Sequence, residues 1–439
     1  MNSPVTILEG CAWAVLQTLP ANSVDCLITS PPYWGLRDYG IDPTAWPDCA
    51  YAPMPGLDKI EVKAETSCLG LEPTLHAFLA HLVLIFDECR RVLKPTGSAW
   101  VNMGDGYAQH AGQHKAGDSI GEKQATNGGS NVTRPHAGLK PKDLIGQPWR
   151  VAFALQAAGW YLRQDNIWHK PNPMPESVRD RATKAHEYVF HLTKSERYYF
   201  DLEAWSEKAS EGTHARLAQN VEAQIGSERA HAGGKTNGNM KAVIGRQSTP
   251  KTLPEHDGMI KNNGSMDAAM AIMPLTRNKR SVWTVPTVAY AEAHYATYPP
   301  RLITPPLLAS TSAKGCCVTC GKPWERVVEK TDVVNPAHNG SRFDHGKTAD
   351  RPVHGMDTTQ KGERFLKQPT DRWQPTCECA DRSVRAPIVL DPFGGSGTTA
   401  QVALEHGRHA ILIERGPHNI ALIQRRLAPF LAAPVLNLH

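Results

Sequence analysis

The feature that most constrains this chain is an alternation of apolar strand, glycine loop and helix near its carboxyl end, echoed by strands and a helix at its start. Ile388-Val389-Leu390 runs into Asp391-Pro392-Phe393-Gly394-Gly395-Ser396-Gly397-Thr398-Thr399. A helical pattern follows over Thr398–His406, then a strand over Ala410–Ile413 and a helix over Pro417–Leu427. At the other end Val5–Leu8 reads as a strand, Ala12–Leu19 as a helix and Val24–Thr29 as an apolar strand suited to a central, buried place. Strands that alternate with helices are covered on both faces and read as parallel α/β. The two ends of the chain are therefore expected to build one parallel sheet, and the middle to leave it as excursions.

Between these ends, Leu75, Phe78, Leu79, Leu82, Phe86, Cys89 and Leu93 recur at helical spacing from Thr74 to Lys94. Pro95-Thr96-Gly97 is expected to stop that run before a strand over Ser98–Met103. A helix is expected over Pro148–Ala158, and strands over Trp160–Trp168 and His186–Thr193. Residues 108–140, 205–280 and 328–372 are polar and lack periodicity, and the first of them reads as a mobile loop. The implied organisation is 1–107 and 141–204 as one half of the main domain, interrupted by the loop 108–140. It continues with insertions at 205–285 and 315–380, a helical segment at 286–314, and the second half at 381–439. There are no internal repeats.

A chain of 439 residues can bury a sizeable core. No apolar stretch approaches the roughly 20 residues that span a bilayer, and Met1-Asn2-Ser3-Pro4 is not a secretory start, so a cytoplasmic location and no membrane partner are expected. The net charge of +5 is too small to establish a polyanionic partner, but most of it lies between Trp205 and Arg280, where 11 Lys and Arg face 7 Asp and Glu. Five of the ten cysteines are scattered singly before residue 90, and the other five fall in two tight clusters. Cys317-Val318-Thr319-Cys320-Gly321 is a knuckle suited to one side of a tetrahedral zinc site, and Cys377-Glu378-Cys379 can supply the other two thiolates. Cys316 is a spare that could compete, and free thiols are the alternative.

The glycine loop lacks the Lys-Ser/Thr of a phosphate-binding loop and does not match Gly-x-Gly-x-x-Gly, so neither nucleotide hydrolysis nor NAD binding is favoured. Asp391 before the loop and Glu414 after the next strand suit a cofactor that carries an ammonium group and ribose hydroxyls. The apolar strand Val24–Thr29 ends in Thr29-Ser30-Pro31-Pro32-Tyr33, where the prolines fix the backbone and leave carbonyls unpaired with a neighbouring strand.

Turn and loop together resemble the amino-methylating DNA methyltransferases of the permuted β group. The resemblance implies a Rossmann-like α/β S-adenosylmethionine-dependent methyltransferase sheet, circularly permuted, to which the composition adds polar insertions and the cysteine clusters a small zinc-binding module. It implies S-adenosylmethionine as cofactor, with Asp391, Gly394, Gly395, Gly397 and Thr398 at its methionine portion, Glu414 at its ribose and Phe393 packing beside the ligand. Ser30, Pro31, Pro32 and Tyr33 become the catalytic turn: Ser30 and the Pro31 carbonyl would hold the target amine, and Tyr33 would stack on the base. Serine in that turn resembles the cytosine-N4 version, with adenine N6 as the alternative.

The resemblance extends to Trp100–Tyr107, Lys142–Gly146 and Trp168–Ser177, which look like phage and bacterial members, and to His294–Pro300, which looks like the start of a cofactor-lining helix. His186 and Lys170 are candidates for DNA contact or for a structural role. The family's Gly-Asp near the amino terminus is Gly10-Cys11 here, which removes the carboxylate expected at the adenine ring. Double-stranded DNA is the implied partner, read by 205–285 through residues such as Arg216, Lys235, Arg277 and Arg280. A cognate restriction endonuclease is a partner that such enzymes can have, and oligomeric state stays open. The rival readings are glutamine methylation on a protein, in which the loop precedes the turn, and a DNA-binding module without catalysis.

Overall fold

A computed structural model describes residues 3–36, 38–108, 138–208, 276–288, 297–332 and 365–432. Most of the expected loop 108–140, of the insertions at 205–280 and 328–372, and the segment 289–296 lie outside the described residues. The chain divides into two compact units. Met1–Trp205, Arg280–Glu325 and Gln374–His439 form the first, and Ser206–Lys279 with Arg326–Trp373 the second.

The first unit is organised on an eight-stranded sheet. Its strands are β1 (Val5–Glu9), β2 (Val24–Thr29), β3 (Leu93–Met103), β4 (Tyr161–His169), β5 (His186–Thr193), β6 (Val282–Thr284), β7 (Ile388–Asp391) and β8 (His409–Glu414). They lie in the order β1-β8-β7-β2-β3-β5-β4-β6. The helices are α1 (Ala12–Thr18), α2 (Leu75–Val92), α3 (Gln147–Ala157), α4 (Leu202–Trp205), α5 (Pro300–Ser310), α6 (Thr398–Glu405) and α7 (Pro417–Ala432). Both chain ends thus supply adjacent central strands, as the sequence implied: β7 pairs with β2 in the register Val389 to Cys26 and Leu390 to Leu27.

The alternation of side chains along these strands builds a layer of helices on each face. Leu27, Leu390, Ile411 and Ile413 pack with Leu16 of α1, Phe78, Leu82 and Phe86 of α2, and Leu155 of α3. Their neighbours Cys26, Ile28, Val389 and Leu412 face the other way, onto Leu302 and Leu307 of α5, Val402 of α6 and Ile423 and Leu427 of α7. Helix α2 starts at an N-cap, Thr74, whose hydroxyl accepts from the Ala77 N–H at 3.1 Å. Near its end Arg91 donates to the Leu16 and Leu19 carbonyls at 2.8 and 2.9 Å, satisfying the last turn of α1.

Two expectations are corrected. The sheet is not wholly parallel, because β5 runs antiparallel to both β3 and β4. No helix separates β4 from β5, and without a crossover two consecutive strands pair antiparallel. Pro95-Thr96-Gly97 does not interrupt the chain before β3 but lies within it. Val24 pairs with Leu93 while Cys26 pairs with Ser98, so the extra residues are taken up as an irregularity against β2. The segment after the Ser30–Tyr33 turn also forms two antiparallel pairs that the sequence did not announce, Thr44–Trp46 with Glu65–Ser67 and Cys49–Tyr51 with Ile60–Val62.

In the second unit Glu207–Lys208 pairs antiparallel with Thr276–Arg277, and the Arg277 guanidinium meets Glu207 Oε1 at 2.8 Å. Most of a two-stranded ribbon, Trp324–Asp332 with Phe365–Pro375, also belongs to it, and there Arg326 lies over the Trp373 ring at 4.6 Å.

Candidate active site

Strands β7 and β2 are neighbours whose onward connections diverge. From β7 the chain passes through α6 to β8 on one side, and from β2 it passes through α2 to β3 on the other. Such a point opens a crevice at the carboxyl ends of the strands, where α/β proteins bind ligands. Here it brings together Ser30–Tyr33 after β2 and the glycine loop after β7, which are separated by over 350 residues of sequence. The two are joined directly: Thr29 Oγ1 donates to Asp391 Oδ1 at 2.6 Å.

Asp391 organises one side of the crevice. It is 1% exposed and also accepts from Phe393 N at 3.1 Å, Thr399 Oγ1 at 2.6 Å and Tyr298 Oη at 3.0 Å. Burial pushes its carboxyl up to about 6, against the pull of the donors from Thr29, Thr399, Phe393 and Tyr298. Its oxygens are thus engaged from behind the loop, and the carboxylate ties β2, β7, α6 and the segment before α5 together.

Above it the loop is shaped by close approaches. A Cβ on Gly394 would lie 3.2 Å from Leu412 Cβ and 3.3 Å from the Ile413 carbonyl, which accepts the Gly394 N–H at 2.8 Å. Gly397 has φ +81° and would press a Cβ to 3.3 Å from Ile423. Glu414 accepts from the N–H groups of Gly395 at 2.7 Å and Gly416 at 2.8 Å, and Phe393 packs partly buried at the rim of the core. Thr398 is buried, with its hydroxyl bonded by Arg426. Gly397 is the N-cap of α6 and brings no side-chain cap, so the amino end of the helix keeps donors for a ligand. Beside it Ser396 is 5% exposed with no partner for its hydroxyl among the described residues. A buried unpaired hydroxyl at a helix amino terminus fits an anionic ligand group such as a carboxylate. At the Gly10-Cys11 departure, Thr44 Oγ1 donates to Cys11 Sγ at 3.4 Å and accepts from Arg415 at 2.7 Å.

The turn forms the other side. Pro31 is buried, while Ser30, Pro32 and Tyr33 are half-buried. Ser30 Oγ donates to Tyr33 Oη at 3.4 Å, and Tyr33 Oη donates to Glu187 Oε2 at 2.9 Å. Glu187 also accepts from Asn102 Nδ2 at 3.1 Å and forms an ion pair with Lys170. Burial and then the Glu187 charge hold the Tyr33 hydroxyl well above its ordinary range, so it keeps its proton. Gly104 fits against this pair, since a Cβ there would lie 2.9 Å from the Tyr33 ring and 3.2 Å from Glu187. Of the two sequence candidates in this region, Lys170 is engaged with Glu187 and lies 4.3 Å from the Trp168 ring, whereas His186 is exposed and packs edge-on to Tyr188. Thr29, Asn102, Glu187, Ser396 and Thr399 were given no role from sequence. The available signals were the acidic residue near the start of β5 and the hydroxyls flanking the glycines.

Cys317, Cys320, Cys377 and Cys379 bring their sulfurs within 4.8 Å of one another. A tetrahedral zinc with Zn–S of roughly 2.3 Å asks for sulfurs a little closer than 4 Å, within reach of small rotations. Backbone N–H groups of Cys320 and Thr319 turn toward Cys317 and hold its thiol down at about 6. Cys316 points elsewhere: it is 1% exposed and donates to Asp25 Oδ1 at 3.3 Å. Asp25 also meets Lys94 Nζ at 2.6 Å and the Ile388 N–H at 2.9 Å, and Lys94 in turn bonds the Gly321 carbonyl at 2.8 Å. The knuckle is thereby fastened to the starts of β2, β3 and β7, at the end of these strands opposite the Ser30–Tyr33 turn. Among the described residues no helix is long and apolar enough to cross a membrane.

Residues 24–318 and 383–425 match the N6/N4 DNA methylase family profile, a span that holds both the turn and the glycine loop and leaves out Cys320, Cys377 and Cys379. The chain is 40% identical over 308 residues to the type II methyltransferase M.Cfr9I of Citrobacter freundii, covering 70% of this chain and 72% of that one. It is 43% identical over 208 residues to the type II methyltransferase M.SmaI of Serratia marcescens, covering 47% and 61%. Among solved structures, the PvuII DNA methyltransferase (cytosine-N4-specific) aligns over 97% of this chain and 87% of that one, at 15% identity and a TM-score of 0.41. With most of its length matched by the profile and a strongly similar relative covered over two thirds, the chain belongs to the N6/N4 family of DNA methylases.

Proposed function

We propose that this protein is a site-specific DNA methyltransferase that transfers a methyl group from S-adenosylmethionine to the exocyclic N4 amine of cytosine in duplex DNA. The observation that carries the reading is the junction of turn and glycine loop across β2 and β7, closed by the Thr29–Asp391 hydrogen bond of 2.6 Å. Serine at the head of the turn favours cytosine N4 over adenine N6. The turn precedes the loop in sequence while their strands are neighbours, the order a circularly permuted sheet would give.

S-adenosylmethionine, when bound, supplies an electrophilic methyl group on a sulfonium. The chain's own part is to hold both partners in line. Ser396 and the amino end of α6 suit the carboxylate of the methionine portion. Gly394, Gly395 and Gly397 let the backbone approach, Thr398 begins the helix, and Phe393 packs alongside. The Asp391 charge attracts the ammonium group, and Glu414 can exchange its loop N–H partners for ribose hydroxyls. On the facing side Ser30 and the Pro31 carbonyl accept hydrogen bonds from the target amine. They draw its lone pair out of conjugation with the ring, and Pro32 keeps the turn rigid. The Tyr33 ring offers a face to a base rotated out of the duplex.

Residues 205–285 are assigned to target recognition, and zinc bound by the four cysteines would be structural because four thiolates close its coordination. The test is transfer from methyl-labelled S-adenosylmethionine to unmethylated DNA, followed by digestion to nucleosides and mass spectrometry. N4-methylcytosine is expected. N6-methyladenine would overturn the base assignment, and no labelled nucleoside would overturn the substrate.

A further inference from the structure

Glu187 touches neither the glycine loop nor Ser30, yet it terminates the only chain of hydroxyls that the described residues attach to the catalytic serine: Ser30 Oγ to Tyr33 Oη at 3.4 Å, then Tyr33 Oη to Glu187 Oε2 at 2.9 Å. An ionised carboxylate has no proton to give, so the Tyr33 hydrogen must point at Glu187. The Tyr33 oxygen is then left to accept, and what it accepts is the Ser30 hydrogen. This fixes the direction of the chain and turns the lone pairs of Ser30 Oγ away from Tyr33. The elevated Tyr33 hydroxyl agrees with a group that stays protonated and donates. Lys170 and Asn102 hold Glu187 from its remaining sides, and Gly104 leaves room for both it and the tyrosine ring.

We propose that Glu187 is a positioning residue for methyl transfer, acting through Tyr33 to make the Ser30 hydroxyl a pure acceptor toward the target amine. The inference rests on the proposed role of Ser30. Its chemical reason is that a Ser30 hydrogen aimed at the amine would bond the nitrogen lone pair, the very electrons that must attack the methyl group. The long Ser30–Tyr33 contact is of the kind that tightens in a substrate complex. Only the polarity of the chain is set in this scheme and no proton moves along it. As the N–C bond forms, the S–C bond of the sulfonium breaks and its electron pair stays on sulfur, and the methylated amine, acidic once it carries the positive charge, gives its extra proton to water.

The variant Glu187→Gln separates this role from simple support. A glutamine facing Lys170 turns its carbonyl oxygen to the ammonium and its amide NH2 to Tyr33, which reverses the chain and points the Ser30 hydrogen outward. With full-length protein and DNA carrying the modified site, Glu187→Gln is expected to lower kcat about 100-fold. KM for DNA and the Kd for S-adenosylmethionine should stay within about threefold of the parent, an allowance of under 1 kcal/mol. Tyr33→Phe, which keeps the ring and removes the relay, should lose a similar factor, and the double variant should lose no more than the worse single one. Multiplying losses in the double variant, an unchanged kcat in Glu187→Gln, or a loss confined to KM would each overturn the inference while leaving the methyltransferase reading intact. A parent protein that labels no DNA nucleoside would remove both.

Discussion

His191 shows how a single buried side chain ties this fold to pH. Its ring stacks on Trp100 with centroids 4.1 Å apart, its Nε2 faces Ser98 Oγ at 3.2 Å, and burial, with a smaller push from the Arg163 charge, holds its pKa down to about 3. In the unfolded chain the same ring titrates near 6.5. Between those values the unfolded state carries the extra proton, so stability falls as pH drops below about 6.5, by up to roughly 1.4 kcal/mol per pH unit. Denaturant titrations at pH 7 and pH 5 should therefore show His191→Gln losing about 1–2 kcal/mol less than the parent between the two pH values. Parallel losses would assign the acid limb to other groups. Asp391 is shifted the other way, to about 6 from an ordinary carboxylate value. Its ionised form accepts four donors and would attract the cofactor's ammonium group under the proposed function, so affinity for S-adenosylmethionine should weaken as pH falls through about 6. Asp391→Asn should bind more weakly at pH 8 and show a flatter profile in calorimetric titration. An equally steep profile would place the titrating group elsewhere.

At the scale of the element, the glycine loop illustrates a motif whose local geometry is legible before any fold is known. Gly397 must take φ +81° and face Ile423 of α7 at 3.3 Å, so Gly397→Ala meets both backbone strain and a clash. It should reduce S-adenosylmethionine affinity at least tenfold while lowering stability by about 1–3 kcal/mol; affinity unchanged in a folded variant would show that the loop does not shape the cofactor site. Helices α2, α6 and α7 were visible through their periodicity, and Val24–Thr29 and His186–Thr193 were read with their observed bounds. The direction of β5 was not read from the alternation at the termini, because strand direction is set by the connection and not by the strand's own residues. The polar coil between β4 and β5 held that information, and the hairpins at 44–67 were too short to stand out as patterns.

On the scale of the whole first unit, the central strands β2, β3 and β7 carry the proposed site at one end and a clamp at the other. Asp25, Lys94, Cys316 and the Gly321 carbonyl bind the cysteine knuckle to the amino ends of those strands, opposite in position to Ser30 and Asp391. Purified protein should contain about one zinc per chain, and its removal by a chelator should lower the melting temperature by on the order of 5 °C. Metal-free protein with the same melting temperature would remove zinc from the account. Lys94→Met, which leaves Asp25 buried with one partner fewer, should lower stability by about 3 kcal/mol in the same assay.

Sequence alone determined the local chemistry: a proline turn after an apolar strand, a glycine loop between strand and helix, and two cysteine pairs. Each is fixed by neighbouring residues and their intrinsic geometry. Tertiary structure alone decided which distant groups meet. It set Asp391 under the hydroxyls of Thr29, Tyr298 and Thr399, turned Cys316 away from the other cysteines, and brought Glu187 to the tyrosine of the turn. Those pairings depend on strand order and register across the sheet. A strand's own apolar pattern constrains its register but does not name its partner, which can lie hundreds of residues away in sequence, as Leu27 and Leu390 do.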